Sequence, residues 1–210
     1  MQAQIPSSLC SRRAFLRGAS AIATSVLAGP VAAETQPSTG AGGQGITAAD
    51  RERMRAVAAW TKSTFDGPNP VPFGAEIVDT KTGGRLVRAL NDVGPEHDPS
   101  AHCELHAIRL GCAKLKSPSL RGYTLYTTCE PCPMCMACAL WAVLDRIVYG
   151  ATIEDAAKFG PQLKVPAAEI ARRGDLHCIV DGPAEREVCL ALFTDPRMQK
   201  TFKMWRAVAR

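Results

Sequence analysis

His102, Glu104, Cys132 and Cys135 are the residues of this 210-residue chain whose types and spacing can do the most chemistry. One imidazole and two thiolates can hold a zinc ion through three bonds. A fourth position then stays open for water, as in catalytic rather than structural zinc sites. Glu104 lies two residues beyond the histidine and is not counted as a ligand; a carboxylate beside an acidified water can carry its protons. The sulfurs, in Pro131-Cys132-Pro133-Met134-Cys135, are three residues apart, so one helical turn can direct both at one ion. Both motifs fall where helices are predicted to begin, and the free N–H groups and positive dipole end there favour thiolates.

The same residues admit other readings. Cys132 and Cys135 can form a thiol–disulfide exchange pair, which leaves His102 and Glu104 without a role. A purely structural zinc, completed by Cys129 or Cys138, needs no water. Cys129, Cys132, Cys135 and Cys138 recur at every third position like an iron–sulfur run, but no proline follows Cys138. His106, one turn beyond His102, is read as packed or hydrogen-bonded.

The elements that must position these groups can be read from period and punctuation. Thr47-Ala48-Ala49-Asp50 forms a capping box, opening a helix to about Thr64 with Met54, Val57, Ala58 and Thr61 inward. Ala75–Asp79 and Arg85–Leu90 are strands joined by the Lys81-Thr82-Gly83-Gly84 turn. Residues 91–100 read as a polar loop. A helix follows from His102 to Leu115, with Leu105, Ile108 and Cys112 (or Leu115) on its apolar side. Strand 123–127 leads to a helix from the Pro131-Cys132-Pro133 turn to Val143. Strand 146–149, a short helix 153–158, strand 176–180, helix 184–192 and a C-terminal helix complete the order. Helices alternating with strands, after an opening hairpin, make an α/β protein with a mixed sheet.

His-x-Glu followed by Pro-Cys-x-x-Cys resembles the signature of the cytidine and deoxycytidylate deaminase superfamily of zinc deaminases. The helix-like and strand-like segments between Glu104 and Pro131 fill the gap as that family's α-β-α motif requires. The resemblance implies the cytidine-deaminase-like fold: three layers, α-β-α, with a five-stranded mixed sheet and helices on both faces. It also implies one zinc per subunit on His102, Cys132 and Cys135. Hydroxide formed there would attack the amine-bearing carbon, with Glu104 passing protons to the ring nitrogen and the departing ammonia. The similarity runs from about Val71 to Gly160. It takes in Pro72-Phe73-Gly74-Ala75, Asn91, Asp98-Pro99-Ser100-Ala101 and Cys129-Glu130, and it points to the guanine-deaminase branch.

That branch implies that Asn91 binds the base, that Asp155 reaches the substrate, and that the backbone N–H of Cys103 contacts it. The family usually has alanine where this chain has Cys103. Read from residues alone, Asn91 could equally be a turn residue, Asp155 a surface helix residue and Phe73 a core residue. The expected substrate is a small amino-heterocycle, with cytosine, cytidine or tRNA adenosine as the superfamily's alternatives. A homodimer is implied by the resemblance only.

Ser11-Arg12-Arg13-Ala14-Phe15-Leu16, an apolar run through Leu27 and the small residues Val31-Ala32-Ala33 resemble a twin-arginine leader. The expected domains are therefore a signal peptide over 1–33, cleaved after Ala33, a flexible linker over 34–45 and a deaminase domain over 46–210. The chain is expected to use the twin-arginine export machinery and to reach the periplasm, or to stay membrane-tethered if the leader is retained. The formal charge is +5. With Arg12, Arg13 and Arg17 in a leader that lacks acids, the remainder carries 22 basic against 20 acidic side chains, or +2. So small an excess gives no dedicated nucleic-acid surface, and no nucleic-acid partner is expected.

Overall fold

A computed structural model describes residues 44–208. The leader over 1–33, its cleavage point and most of the linker lie outside these residues. Eight α-helices and five strands follow in the order α1 (Ala48–Lys62), β1 (Gly74–Asp79), β2 (Arg85–Leu90), α2 (Val93–Glu96), α3 (Cys103–Leu115), β3 (Tyr123–Cys129), α4 (Pro133–Trp141), β4 (Arg146–Ala151), α5 (Ile153–Ala156), α6 (Ala167–Arg173), β5 (Ile179–Asp181), α7 (Arg186–Thr194) and α8 (Gln199–Val208). The strands form one sheet in the order β2-β1-β3-β4-β5. β1 is antiparallel to both β2 and β3, whereas β3, β4 and β5 run parallel. None of the described helices is long and apolar enough to cross a membrane.

The sheet separates two apolar cores because successive strand residues face opposite sides. Val78, Tyr126 and Val148 meet Met54, Val57, Leu192, Phe193 and Phe202 from α1, α7 and α8. Ile77, Leu125 and Ile147 meet Ala107, Ile108, Met136 and Ala139 from α3 and α4, with Ala167 at the start of α6. This is the expected three-layer α-β-α arrangement with helices on both faces.

One buried ionic network pins the layers. Arg146 in β4 reaches Asp50 of α1 (2.8 and 3.1 Å), Asp181 of β5 (2.7 Å) and the carbonyl of Gly45 (3.0 Å). Tyr126 donates to the same Asp50 at 2.6 Å. Burial pushes the Asp50 acid up, but the Arg146 and Tyr126 donors outweigh it and hold the group well below the usual carboxylate range.

Several expectations shift. α1 has the expected capping box, with Thr47 accepting from the Asp50 N–H at 3.1 Å, and the expected inward residues. On α3, Ile108 is buried and Cys112 packs against the core as expected, but the rest of the inward face is Cys103, Glu104, Ala107 and Gly111, while Leu110 and Leu115 are exposed. Small residues face in because the helix lies close on the sheet. A Cβ on Gly111 would meet Leu120 at 3.2 Å and Leu86 at 3.3 Å. The loop 91–100 contains the single turn α2, and α6 was not expected, since a seven-residue helix with only Ala167 fully buried has little apolar period. The fifth strand is short and later than expected, set by pairing with β4 at Arg146–Ile179 through Val148–Asp181.

Candidate active site

The two motifs meet because both are helix starts on the same side of the sheet, beside the carboxyl end of β3, where parallel sheets place their sites. His102 is the N-cap of α3 and Cys132 the N-cap of α4; both have extended backbone, which turns the side chain away from the helix. Pro133, at the first helical position of α4, fixes the entry angle, and Cys135 follows one turn in.

The three ligand atoms form a nearly equilateral triangle. Cys132 Sγ and Cys135 Sγ are 3.6 Å apart, and His102 Nδ1 is 3.7 Å from the first and 3.6 Å from the second. Bonds of ~2.3 Å to sulfur and ~2.0–2.1 Å to nitrogen about a tetrahedral zinc place such ligands about 3.5–3.8 Å apart, so the donor set fits the ion. A single proton between the two sulfurs, 3.6 Å apart, lowers the Cys132 thiol to about 4 and raises that of Cys135. The bond to Cys132 raises the His102 pKa against the effect of burial. A dication in place of that proton would satisfy both thiolates.

The geometry favours the three-ligand reading over the competing assignments. Among the described residues, no cysteine other than Cys132 and Cys135 joins the His102 cluster. Cys129 turns its sulfur to the Thr152 carbonyl at 3.9 Å, and Cys138 lies outside the cluster. His102 stands as close to each sulfur as the sulfurs stand to one another, which a three-ligand metal site requires and a two-cysteine exchange pair does not.

Glu104, at the second position of α3, is buried beside the triangle. Its Oε1 accepts from the Thr127 hydroxyl at 3.0 Å, and its Oε2 faces the sulfurs of Cys103 at 3.2 Å and Cys135 at 3.6 Å. Burial, then the Glu104 charge, pushes the Cys103 thiol well up, so it stays protonated. Glu104 and His102 open onto a cavity of about 570 Å³, bordered by Phe73, Asn91, Gln162 and Trp205 among others. The backbone N–H of Asn91 donates to the Phe73 carbonyl at 3.3 Å. Among the described residues its side-chain amide has no such partner and borders the cavity, as a base-binding residue must.

The other two residues expected at the substrate take these positions. Asp155 does not border the cavity. It is buried as the third residue of α5, closing a capping box with Thr152 and gripped by Arg186 (2.5 and 2.7 Å) and Lys158 (3.0 Å). Burial raises its acid, but these donors prevail and hold it well below the usual range. The partner Arg186 is 31 residues away in the chain, and the pair forms a strut between α5 and α7. The Cys103 side chain is fully buried behind Glu104; the contact expected of this residue is through its backbone N–H.

Other residues were missed. Trp205 of α8 stacks on Phe73 (centroids 5.6 Å apart, planes 15° apart), and both border the cavity. The Phe202-x-x-Trp205 spacing, which puts two aromatics on one helix face, was the available signal. Glu130 accepts from the Ile153 N–H at 3.1 Å and the Ala167 N–H at 2.9 Å, bracing α5 and α6 around Gly160, Pro161 and Gln162.

Comparison with known proteins agrees with this arrangement. The chain is 44% identical over 89 residues to the guanine deaminase of Bacillus subtilis (strain 168), covering 42% of this chain and 56% of that one. It is 38% identical over 89 residues to a tRNA-specific adenosine deaminase of Buchnera aphidicola subsp. Baizongia pistaciae, covering 42% of this chain and 54% of that one. The chain thus spans little more than half the length of these curated relatives. A solved guanine deaminase from Nitrosomonas europaea shares the fold, with a TM-score of 0.62 at 24% identity over 72% of this chain and 86% of that one. Residues 48–151 match the cytidine and deoxycytidylate deaminase zinc-binding region, and the chain belongs to that family.

Proposed function

We propose that this protein is a zinc-dependent hydrolytic deaminase of a small amino-purine or related heterocycle, similar in action to guanine deaminase. The observation that carries the reading is the His102–Cys132–Cys135 triangle with Glu104 beside it at one wall of the cavity. The guanine deaminase of Bacillus subtilis, as a relative, favours a purine.

Zinc bound there, one per subunit, would supply Lewis acidity and bring the pKa of water toward neutrality. Glu104 takes a proton from the water and delivers protons to the ring nitrogen and the departing amine. The balance is one water consumed and one ammonia released as the C–N bond is replaced by a carbonyl. Asn91 orients the ring through its free amide, and Phe73 and Trp205 offer apolar faces to it.

Ammonia release by the zinc-loaded full chain, measured across guanine, adenine, cytosine, their nucleosides and triazines, tests the proposal. Glu104→Gln should keep its zinc and lose turnover by ~10²-fold or more. Wild-type rates in that variant, or no ammonia from any of these compounds, would sink it.

We also infer export through the leader-like residues 1–33, on the strength of Arg12-Arg13 and the apolar run behind them, and a homodimer, on the strength of the family resemblance. Fractionation with intact-mass measurement, and sedimentation of the purified protein, decide these two points.

A further inference from the structure

Glu104 is held at both carboxylate oxygens by side chains that metal binding does not require. Thr127, fully buried in β3, donates its hydroxyl to Oε1 at 3.0 Å. Cys103, fully buried at the first position of α3, sets its sulfur 3.2 Å from Oε2. The two donors stand 4.0 Å from each other, so three side chains close a triangle of which only Glu104 borders the cavity. Glu104 is 5% exposed. A carboxylate with so little water must find its donors in the protein, and their directions then set its rotamer.

From this geometry we propose that Thr127 and Cys103 are positioning residues, which act through Glu104 by aiming its carboxylate at the bound water and substrate. Thr127 is the stronger arm, because a hydroxyl donates better than a thiol. Cys103 is the second arm, since an alanine in its place would leave Oε2 without that donor. The Thr127 main chain is fixed independently by pairing with Ala75 on one side and Tyr149 on the other. The hydroxyl can therefore be removed with the strand left in place.

The activity arm of the test rests on the deaminase reading. Thr127→Val removes the hydroxyl at nearly constant shape, Thr127→Ser keeps it, and Cys103→Ala removes the thiol. With zinc content and KM unchanged, kcat should fall about tenfold or more in Thr127→Val, recover in Thr127→Ser and fall a fewfold in Cys103→Ala, since misplaced catalytic groups cost up to ~10²-fold. An unchanged kcat in Thr127→Val overturns the proposal. If the wild type deaminates none of the heterocycles, the deaminase reading alone has failed. Crystal structures of the zinc-loaded proteins then decide: Glu104 displaced in Thr127→Val sustains the cradle, and Glu104 unmoved refutes it. Should Thr127→Val fail to fold, Cys103→Ala supplies the same two readouts.

Discussion

Asn91 is the residue at which a substrate contact and a turn role can be told apart. Its backbone already serves the turn, through the bond to Phe73, while its amide borders the cavity. Asn91→Ala should therefore leave the melting temperature close to wild type and lower kcat/KM by about five- to a hundredfold, the ~1–3 kcal/mol of a lost buried hydrogen bond. Equal kinetics with lowered stability would return Asn91 to the turn. His102, Glu104, Cys132 and Cys135 were legible because their spacing is local and metal ligation constrains it tightly. The Arg186 strut of Asp155, the Thr127 contact and the place of Trp205 could not be read, for a shared reason. Arg186, Glu104 and Phe73, the partners that define their roles, lie 31, 23 and 132 residues away in the sequence.

Helix starts carry the site, and short elements hold its rim. α1, α3 and α4 could be bounded from caps, prolines and apolar period, whereas α6 could not, because its place depends on Glu130 reaching 37 residues along the chain to the Ala167 N–H. Glu130 braces α5 by the same carboxylate. Glu130→Ala would leave the Ile153 and Ala167 N–H groups without this acceptor, and losing such a cap costs about 0.5–2 kcal/mol each. The expected outcome is a lowered melting temperature together with faster amide exchange over residues 152–167, and no loss of zinc. Exchange confined to other segments would contradict the bracing role. The inward face of α3 illustrates a different limit: apolar period favoured Leu105, but the closeness of the sheet required Ala107 and Gly111.

Across the whole molecule, ionic struts join elements distant in sequence, and they make a single prediction about acid. Aspartates of an unfolded chain titrate near ~3.9. In the folded protein Asp50 and Asp155 titrate well below that, and Arg197 holds Asp195 down at about 2. As pH falls the unfolded chain takes up these protons first. The stability they supply is thus complete above about pH 4 and is lost as pH drops toward the folded values. Urea midpoints of chelator-treated protein, in which metal loss cannot contribute, should be level from about pH 7 to 5 and fall below about pH 4. A midpoint that stays level to about pH 3 would show that these pairs contribute nothing. The α/β layering was legible from the alternation of elements; the Arg146 network that locks it was not, since Asp50 and Asp181 stand 96 and 35 residues from the arginine.

The helix α8 divides its labour: Phe202 is packed into the core, and Trp205, one turn on, walls the cavity. Anchorage and chamber wall therefore sit three codons apart on the same short segment, far along the chain from His102, Cys132 and Cys135. A lineage can alter position 205 and resize the chamber while Phe202 keeps the helix docked and His102, Cys132 and Cys135 remain untouched. The width of the chamber is free to drift by single-residue changes in this segment, with the metal-ligand set inherited intact.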